Sequence, residues 1–190
     1  MIEKKYEFTG EQIDCLGHRL HQIRAIKDFG TIKKGDIGGW IEKEENLSHN
    51  CNCWVCDDAR VYGDAWVCGN AWVYENADVY NNAHVYNNAH VYGNAHVYGN
   101  AMVCGNARIM SNNDYATISN FGSQNRTTTF QMCKDDIVRV KCGCFWGTIN
   151  EFRNKVKETH KDSYLAQEYL MIADLMEFRF NNRQNKGRCE

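Results

Sequence analysis

Between Cys53 and Asn112 the chain reads CWVCDD ARVYGD AWVCGN AWVYEN ADVYNN AHVYNN AHVYGN AHVYGN AMVCGN ARIMSN. Every sixth residue is aliphatic: Val55, Val61, Val67, Val73, Val79, Val85, Val91, Val97, Val103 and Ile109. A small residue, Ala everywhere except Cys53, stands two positions before each. A pair drawn from Gly, Asn, Asp, Glu and Ser follows two and three positions after it. Small, any, aliphatic, any is period-two alternation, the pattern of a short strand with one buried face. The pair supplies a corner, because Gly and Asn enter the positive-φ region more readily than other residues. Equal strands and equal corners predict a triangular coil of about 18 residues, with coils stacked ~4.8 Å apart through parallel ladders. Proline, which would delete a ladder N–H, is absent, and there are 21 asparagines.

The whole chain has 190 residues and a formal net charge of −2. That size fits one small domain with appendages. The balance excludes a nucleic-acid binder held by bulk charge, and equally an acidic mimic of DNA. No apolar run reaches the ~18 residues of a membrane span, and Met1–Lys5 lacks a signal peptide's apolar stretch, so a cytoplasmic location is expected. Reduced thiols are expected there for the ten cysteines. The clusters Cys51, Cys53, Cys56 and Cys142, Cys144 lack paired C-x-x-C or His partners at zinc spacing. They read as small core or surface thiols with no metal and no cofactor.

Three units follow: a β cap over 1–46, the β-helix over 47–116, and an α+β module over 117–190. An open coil end exposes backbone and apolar core, so the segment through Trp40 is the natural plug. Further on, Ala116–Ser119, Thr127–Cys133 and Ile137–Cys144 have strand character. Thr148-Ile149-Asn150-Glu151 is a capping box opening a helix to about His160, and Asp162 or Ser163 caps a second helix from Tyr164 to Phe180.

The small and aliphatic positions of residues 53–110 resemble the hexapeptide-repeat family, which implies a left-handed parallel β-helix. The chain departs from that family in carrying Tyr or Cys where Gly is common, just after the aliphatic residue. Ile23-Arg24-Ala25-Ile26, Asp28-Phe29-Gly30, Lys34-Gly35-Asp36-Ile37-Gly38-Gly39-Trp40-Ile41, Asn46-Leu47-Ser48 and Cys53-Trp54-Val55 resemble YdcK-like bacterial proteins and phage-borne relatives. Gly122-Ser123, Thr127-Thr128-Thr129-Phe130, Cys142-Gly143-Cys144-Phe145, Gly147-Thr148 and Glu151-Phe152 resemble a small α+β module of phage and bacterial proteins.

The hexapeptide resemblance draws attention to His84, His90 and His96, since its acyltransferases use a histidine base. A spacing of six puts them on three different faces, each pointing outward beside an inward Val, so they cannot converge within one subunit. No catalytic residue is assigned. Face one stacks Trp54/Cys56, Trp72/Tyr74, His90/Tyr92 and Arg108/Met110, and face three stacks Trp66/Cys68, His84/Tyr86 and Met102/Cys104. Face two stacks Arg60/Tyr62, Asp78/Tyr80, His96/Tyr98 and Asp114/Ala116. Faces one and three are aromatic and nearly charge-free, which marks Trp54, Trp72, Tyr74, His90, Tyr92, Trp66 and Tyr86 as interface residues. Either terminal segment folding back over one of these faces is the alternative. Face two, with charges in column, is expected to face water. Ser123, Asn125, Arg126, Thr127 and Thr128 form a second candidate, a hydroxyl-rich loop able to cradle a phosphate or nucleotide; ordinary turn chemistry is the competing reading.

The function expected is that of a non-enzymatic oligomeric binding protein, with a trimer as the expected count. The phage-like segments suggest a counter-defence inhibitor acting in the host cytoplasm, binding a host immune protein or sequestering a nucleotide signal. The alternatives are an acyltransferase and a structural or scaffold phage protein.

Overall fold

The computed structural model describes residues 3–183 and divides into two compact units, Met1–Asn112 and Asn113–Glu190. In the first, strands β1 (Tyr6–Cys15) and β2 (His18–Ala25) form an antiparallel hairpin, and β3 (Ile37–Ile41) pairs antiparallel with β2. A 3-10 turn at Glu44–Asn46 follows. Ten two-residue strands then succeed one another every six residues: β4 (Trp54–Val55), β5 (Arg60–Val61), β6 (Trp66–Val67), β7 (Trp72–Val73), β8 (Asp78–Val79), β9 (His84–Val85), β10 (His90–Val91), β11 (His96–Val97), β12 (Met102–Val103) and β13 (Arg108–Ile109). Parallel pairing joins residues 18 apart: β4-β7-β10-β13 is face one, β5-β8-β11 face two and β6-β9-β12 face three. The result is a three-sided parallel β-solenoid.

The corners are as the repeat requires. Asp57, Gly63, Gly69, Glu75, Asn81, Asn87, Gly93, Gly99 and Gly105 all have φ between 55° and 68°. The two acidic corner residues also act as acceptors between coils: Asp57 accepts from the Glu75 amide at 3.0 Å, and Glu75 from the Gly93 amide at 2.8 Å.

The solenoid begins a coil earlier than the strict repeat. β3 pairs in parallel with β5, with Ile41 beside Val61, and Leu47 bridges to Val67. Four coils therefore stack, and their interior is three aliphatic columns: Ile41, Val61, Val79, Val97; Leu47, Val67, Val85, Val103; and Val55, Val73, Val91, Ile109. All twelve side chains are fully buried. At the other end, Asp114 and Ala116 do not extend face two. Asn112 accepts the His96 amide at 2.7 Å, and Tyr115 and Ala116 belong to the next unit's first strand.

The N-terminal segment closes the first coil, whose outward carbonyls have no preceding coil to pair with. Lys5, buried like a core residue at 1% exposure, donates from Nζ to Cys53 O at 2.8 Å, Cys51 O at 3.2 Å and Cys53 Sγ at 3.2 Å. The Tyr6 hydroxyl lies 2.9 Å from Leu47 O and 3.0 Å from Glu44 O. Gly38 and Gly39 let β3 lie against this end. A Cβ on Gly38 would sit 2.6 Å from Ile23 Cγ1 and 2.7 Å from Trp54 Cζ2, and one on Gly39 2.7 Å from Ala59 O. Packing thus accounts for the Gly38-Gly39-Trp40 sequence.

The second unit is an antiparallel meander of β14 (Tyr115–Phe121), β15 (Arg126–Met132), β16 (Val138–Cys142) and β17 (Phe145–Thr148), then helices α1 (Ile149–His160) and α2 (Tyr164–Asn181). The strand expected over Ile137–Cys144 is β16, which stops at Cys142 because Gly143, at φ 57°, turns the chain into β17. The capping box is present: Thr148 Oγ1 accepts from the Glu151 amide at 3.2 Å, and Glu151 Oε2 from the Thr148 amide at 2.7 Å. Ser163 caps α2. The core gathers Phe121, Phe130, Val140, Phe152, Tyr169, Ala173 and Phe180. No helix of the described residues is long and apolar enough to cross a membrane.

Candidate functional site

The outward residue of each two-residue strand stands beside its equivalent 18 residues away, so the ladder itself builds three outward columns. On face three Trp66 stacks above His84 and His84 above Met102. The Trp66 and His84 rings meet edge to face at 5.8 Å. Trp66 is 42% exposed, and Tyr86, in the column of Cys68 and Cys104, is half-buried. The column's own residues, which include Cys68 and the buried Cys104, carry no formal charge.

Face one is partly sealed. Trp54 is 1% exposed, packed by Phe29 at 5.3 Å and Tyr6 at 6.3 Å, so this expected interface residue is core of the cap. Tyr92 is also buried: it stacks on Tyr74 at 5.0 Å, and Arg108 bonds its hydroxyl. Trp72, Tyr74 and His90 remain half-buried.

Face two departs most from expectation. The β1–β2 hairpin packs on its outer side: Cys15 and Leu20, with Ile13, cluster with Tyr62, Trp40 and Tyr80. His18 lies 4.9 Å from the Tyr62 ring, and Arg60 donates to Cys15 Sγ at 3.4 Å. A tyrosine ladder runs beneath, with Tyr62 on Tyr80 at 5.1 Å and Tyr80 on Tyr98 at 5.4 Å. Asp78 is buried between Arg60, 3.0 Å away, and His96, 3.3 Å away. Burial pushes its carboxyl above the usual carboxylate range, against the pull of Arg60 and His96. The column expected to lie in water is therefore an ion-pair ladder half under a hairpin. The 18-residue spacing of Arg60, Asp78 and His96 was the available sign of that pairing.

His84, His90 and His96 lie on faces three, one and two, and no pair of them converges. His96 has the Asp78 carboxylate as a neighbour, and that carboxylate is also engaged by Arg60.

The second candidate set is not assembled. Residues 122–125 are the turn between β14 and β15. The Gly122 amide is taken by Glu168 Oε2 at 2.9 Å, a carboxylate where a phosphate would have to approach. Ser119 and Thr127 bond each other at 2.8 Å, Thr128 points into the core, and Ser123, Asn125 and Arg126 are exposed. A cleft of this unit, about 270 Å³, is lined by Asp136, Ile137, Val138, Thr148, Ile149, Asn150, Glu177, Phe180 and Asn181, with two carboxylates and no cation to meet an anion.

Among the described residues no three His, Cys, Asp or Glu side chains are placed to hold a metal. Burial raises the Cys53 thiol, pushes Cys56 up to about 12 and Cys68 to about 11. Thiols so placed stay protonated near neutrality, which suits packing rather than nucleophilic chemistry.

Residues 55–69 match the family model described as the YdcK β-solenoid repeat. That segment runs from Val55 through β5 and β6 to the Gly69 corner. The chain is also similar to an Escherichia coli (strain K12) protein named "Uncharacterized acetyltransferase YdcK", 43% identical over 42 residues. That stretch is 22% of this chain and 13% of the relative, so the chain covers far less than two thirds of the relative's length.

Proposed function

We propose that the protein is a non-enzymatic oligomeric binding protein whose contact surface is the wedge formed by faces three and one. The carrying observation is where charge is absent. Faces three and one meet at the corner column Gly69-Asn70, Asn87-Asn88 and Gly105-Asn106, which has no charged residue. The other corners carry Asp57, Asp58 and Glu75, or Asp64. A charge-poor aromatic wedge is the composition of an interface core. Closure about a three-fold axis brings face three of one subunit against face one of the next, with this corner inward, and gives a trimer with no open ends.

The finer reading, a counter-defence factor in a host cytoplasm, draws support from the phage-like segments of the sequence. Of its two modes, binding a host protein fits better than sequestering a nucleotide. A broad aromatic face suits a protein partner, whereas the Gly122 turn already holds a carboxylate.

An acetyltransferase reading is favoured by the relative's name, and by His96 beside Asp78. Isothermal titration with acetyl-coenzyme A, together with mass spectrometry of small molecules released on denaturation, separates the two. The binding-protein reading expects no heat of binding and no coenzyme A or nucleotide released. Saturable acetyl-coenzyme A binding that His96→Ala abolishes would establish the transferase instead.

A further inference from the structure

Helix α2 is apolar on two opposite sides. Ala166, Tyr169, Ala173, Met176 and Phe180 face the core of the second unit. Tyr164, Met171, Leu175 and Phe178 recur at intervals of 7, 4 and 3 on the other side, and they are 56–76% exposed. At 3.6 residues per turn these four fall on one narrow stripe, almost diametrically opposite the buried set. A helix that is apolar on both sides belongs in contact with something on each. Four large side chains on one line differ from the scattered single exposures that any surface carries.

We infer that this stripe is a self-association surface, on which α2 of a second copy lies antiparallel about a two-fold axis near Met171. Three features favour a second copy. The stripe is self-complementary, with Tyr164 and Phe178 equally far from Met171 at its two ends. An antiparallel partner therefore sets each Phe178 against the other copy's Tyr164, brings the two Met171 side chains together at the axis, and places each Leu175 beside the other copy's Met171. One rim charge pair is compatible with the same arrangement: Arg179 flanks the stripe on the side of Glu168, and antiparallel pairing brings it about five residues from the other copy's Glu168, whose Oε2 also accepts from the Gly122 amide. Finally, the area suffices. Aromatic side chains bury about 150–250 Å² each when fully covered. The exposed parts of these four, with the rim, come to roughly 500 Å² per copy, so the pair reaches about 1,000 Å², the lower bound of a specific interface. A contact at that lower bound is the size of a weak, reversible association. It is a different surface from the aromatic wedge of the solenoid.

The experiment is sedimentation velocity across the micromolar range on the full chain carrying Trp66→Glu with Tyr86→Glu, which removes the wedge contact. A monomer–dimer equilibrium should remain in this variant, and adding Met171→Glu with Leu175→Glu should abolish it. Both added sites are exposed, so circular dichroism should be unchanged. In the same background Met171→Cys should gain an oxidised, cross-linked dimer over the parent. Tyr164→Cys should not link to itself, but should link to Phe178→Cys when the two are mixed. A variant that stays monomeric at every concentration, a dimer insensitive to the Met171 and Leu175 changes, or self-linking of Tyr164→Cys as fast as that of Met171→Cys would each overturn the inference.

Discussion

Val85→Asp is expected to abolish the cooperative melt of the solenoid. Val85 sits in the middle of an interior column, between Val67 and Val103, with no exposure to solvent. A carboxylate there has no water and no cation, and the site can avoid a buried charge only by protonating the acid or opening the coil. Either course costs several kcal/mol, against the 5–15 kcal/mol by which a whole domain is ordinarily stable. A stack of coils also depends on each coil for its neighbours' burial, so the loss does not stay local. Val85→Ala supplies the graded control: it keeps the inward register and removes two methyl groups, costing about 2 kcal/mol. Thermal and urea unfolding followed by far-UV circular dichroism checks both. A Val85→Asp protein melting near the parent's temperature would mean that Val85 does not point inward.

Lys5→Met should open the first coil. The substitution keeps an unbranched side chain over Phe29 but removes the donor shared by Cys51 O, Cys53 O and Cys53 Sγ. Each buried carbonyl left without a donor costs about 1–3 kcal/mol, so a loss of about 2–4 kcal/mol is expected. The variant also has a pH signature. Burial holds the Lys5 ammonium below its ordinary value of 10.5, against the opposing pull of Cys53. Between the lowered value and 10.5 the unfolded chain binds more protons than the folded one, so Lys5 makes the parent gain stability as the pH rises through that window. Lys5→Met should lack this gain. Urea midpoints measured from neutral to alkaline pH test both statements, and a variant as stable as the parent throughout would show that the coil end is satisfied without Lys5.

What could be read from the sequence was whatever the six-residue period controls. The inward column, the positive-φ corners and the assignment of His84, His90 and His96 to separate faces all follow from spacing, because a ladder every 18 residues leaves the backbone no other register. The first coil escaped that reading. Ile41 and Leu47 are six apart, but Leu47 and Val55 are eight apart, so two extra residues in the corner at 50–52 break the period while the three-sided path continues. The fate of face two was also hidden, since charges in column look the same in water as under a hairpin. Only the apolar Ile13 and Leu20 on the hairpin hinted that it has a side to bury. The glycine and hydroxyl loop misled for a related reason. Its composition suits a phosphate cradle and a hairpin turn equally, and Glu168, from more than forty residues away, decides between them.

The aromatic wedge is tested most directly by sedimentation equilibrium on three proteins: the parent, Trp66→Glu with Tyr86→Glu, and Tyr98→Glu, an exposed tyrosine of face two. Trp66, Trp72, Tyr74 and Tyr86 lose their remaining exposure when face three meets face one, each contributing part of the ~1.5–3 kcal/mol of a full burial, and together they oppose the entropy of association. The parent and Tyr98→Glu should both contain the trimer at micromolar concentration, and the double variant should lose it while keeping the parent's circular dichroism. A parent without a trimer, or a trimer broken by Tyr98→Glu and untouched by the double variant, would contradict the assignment of this face.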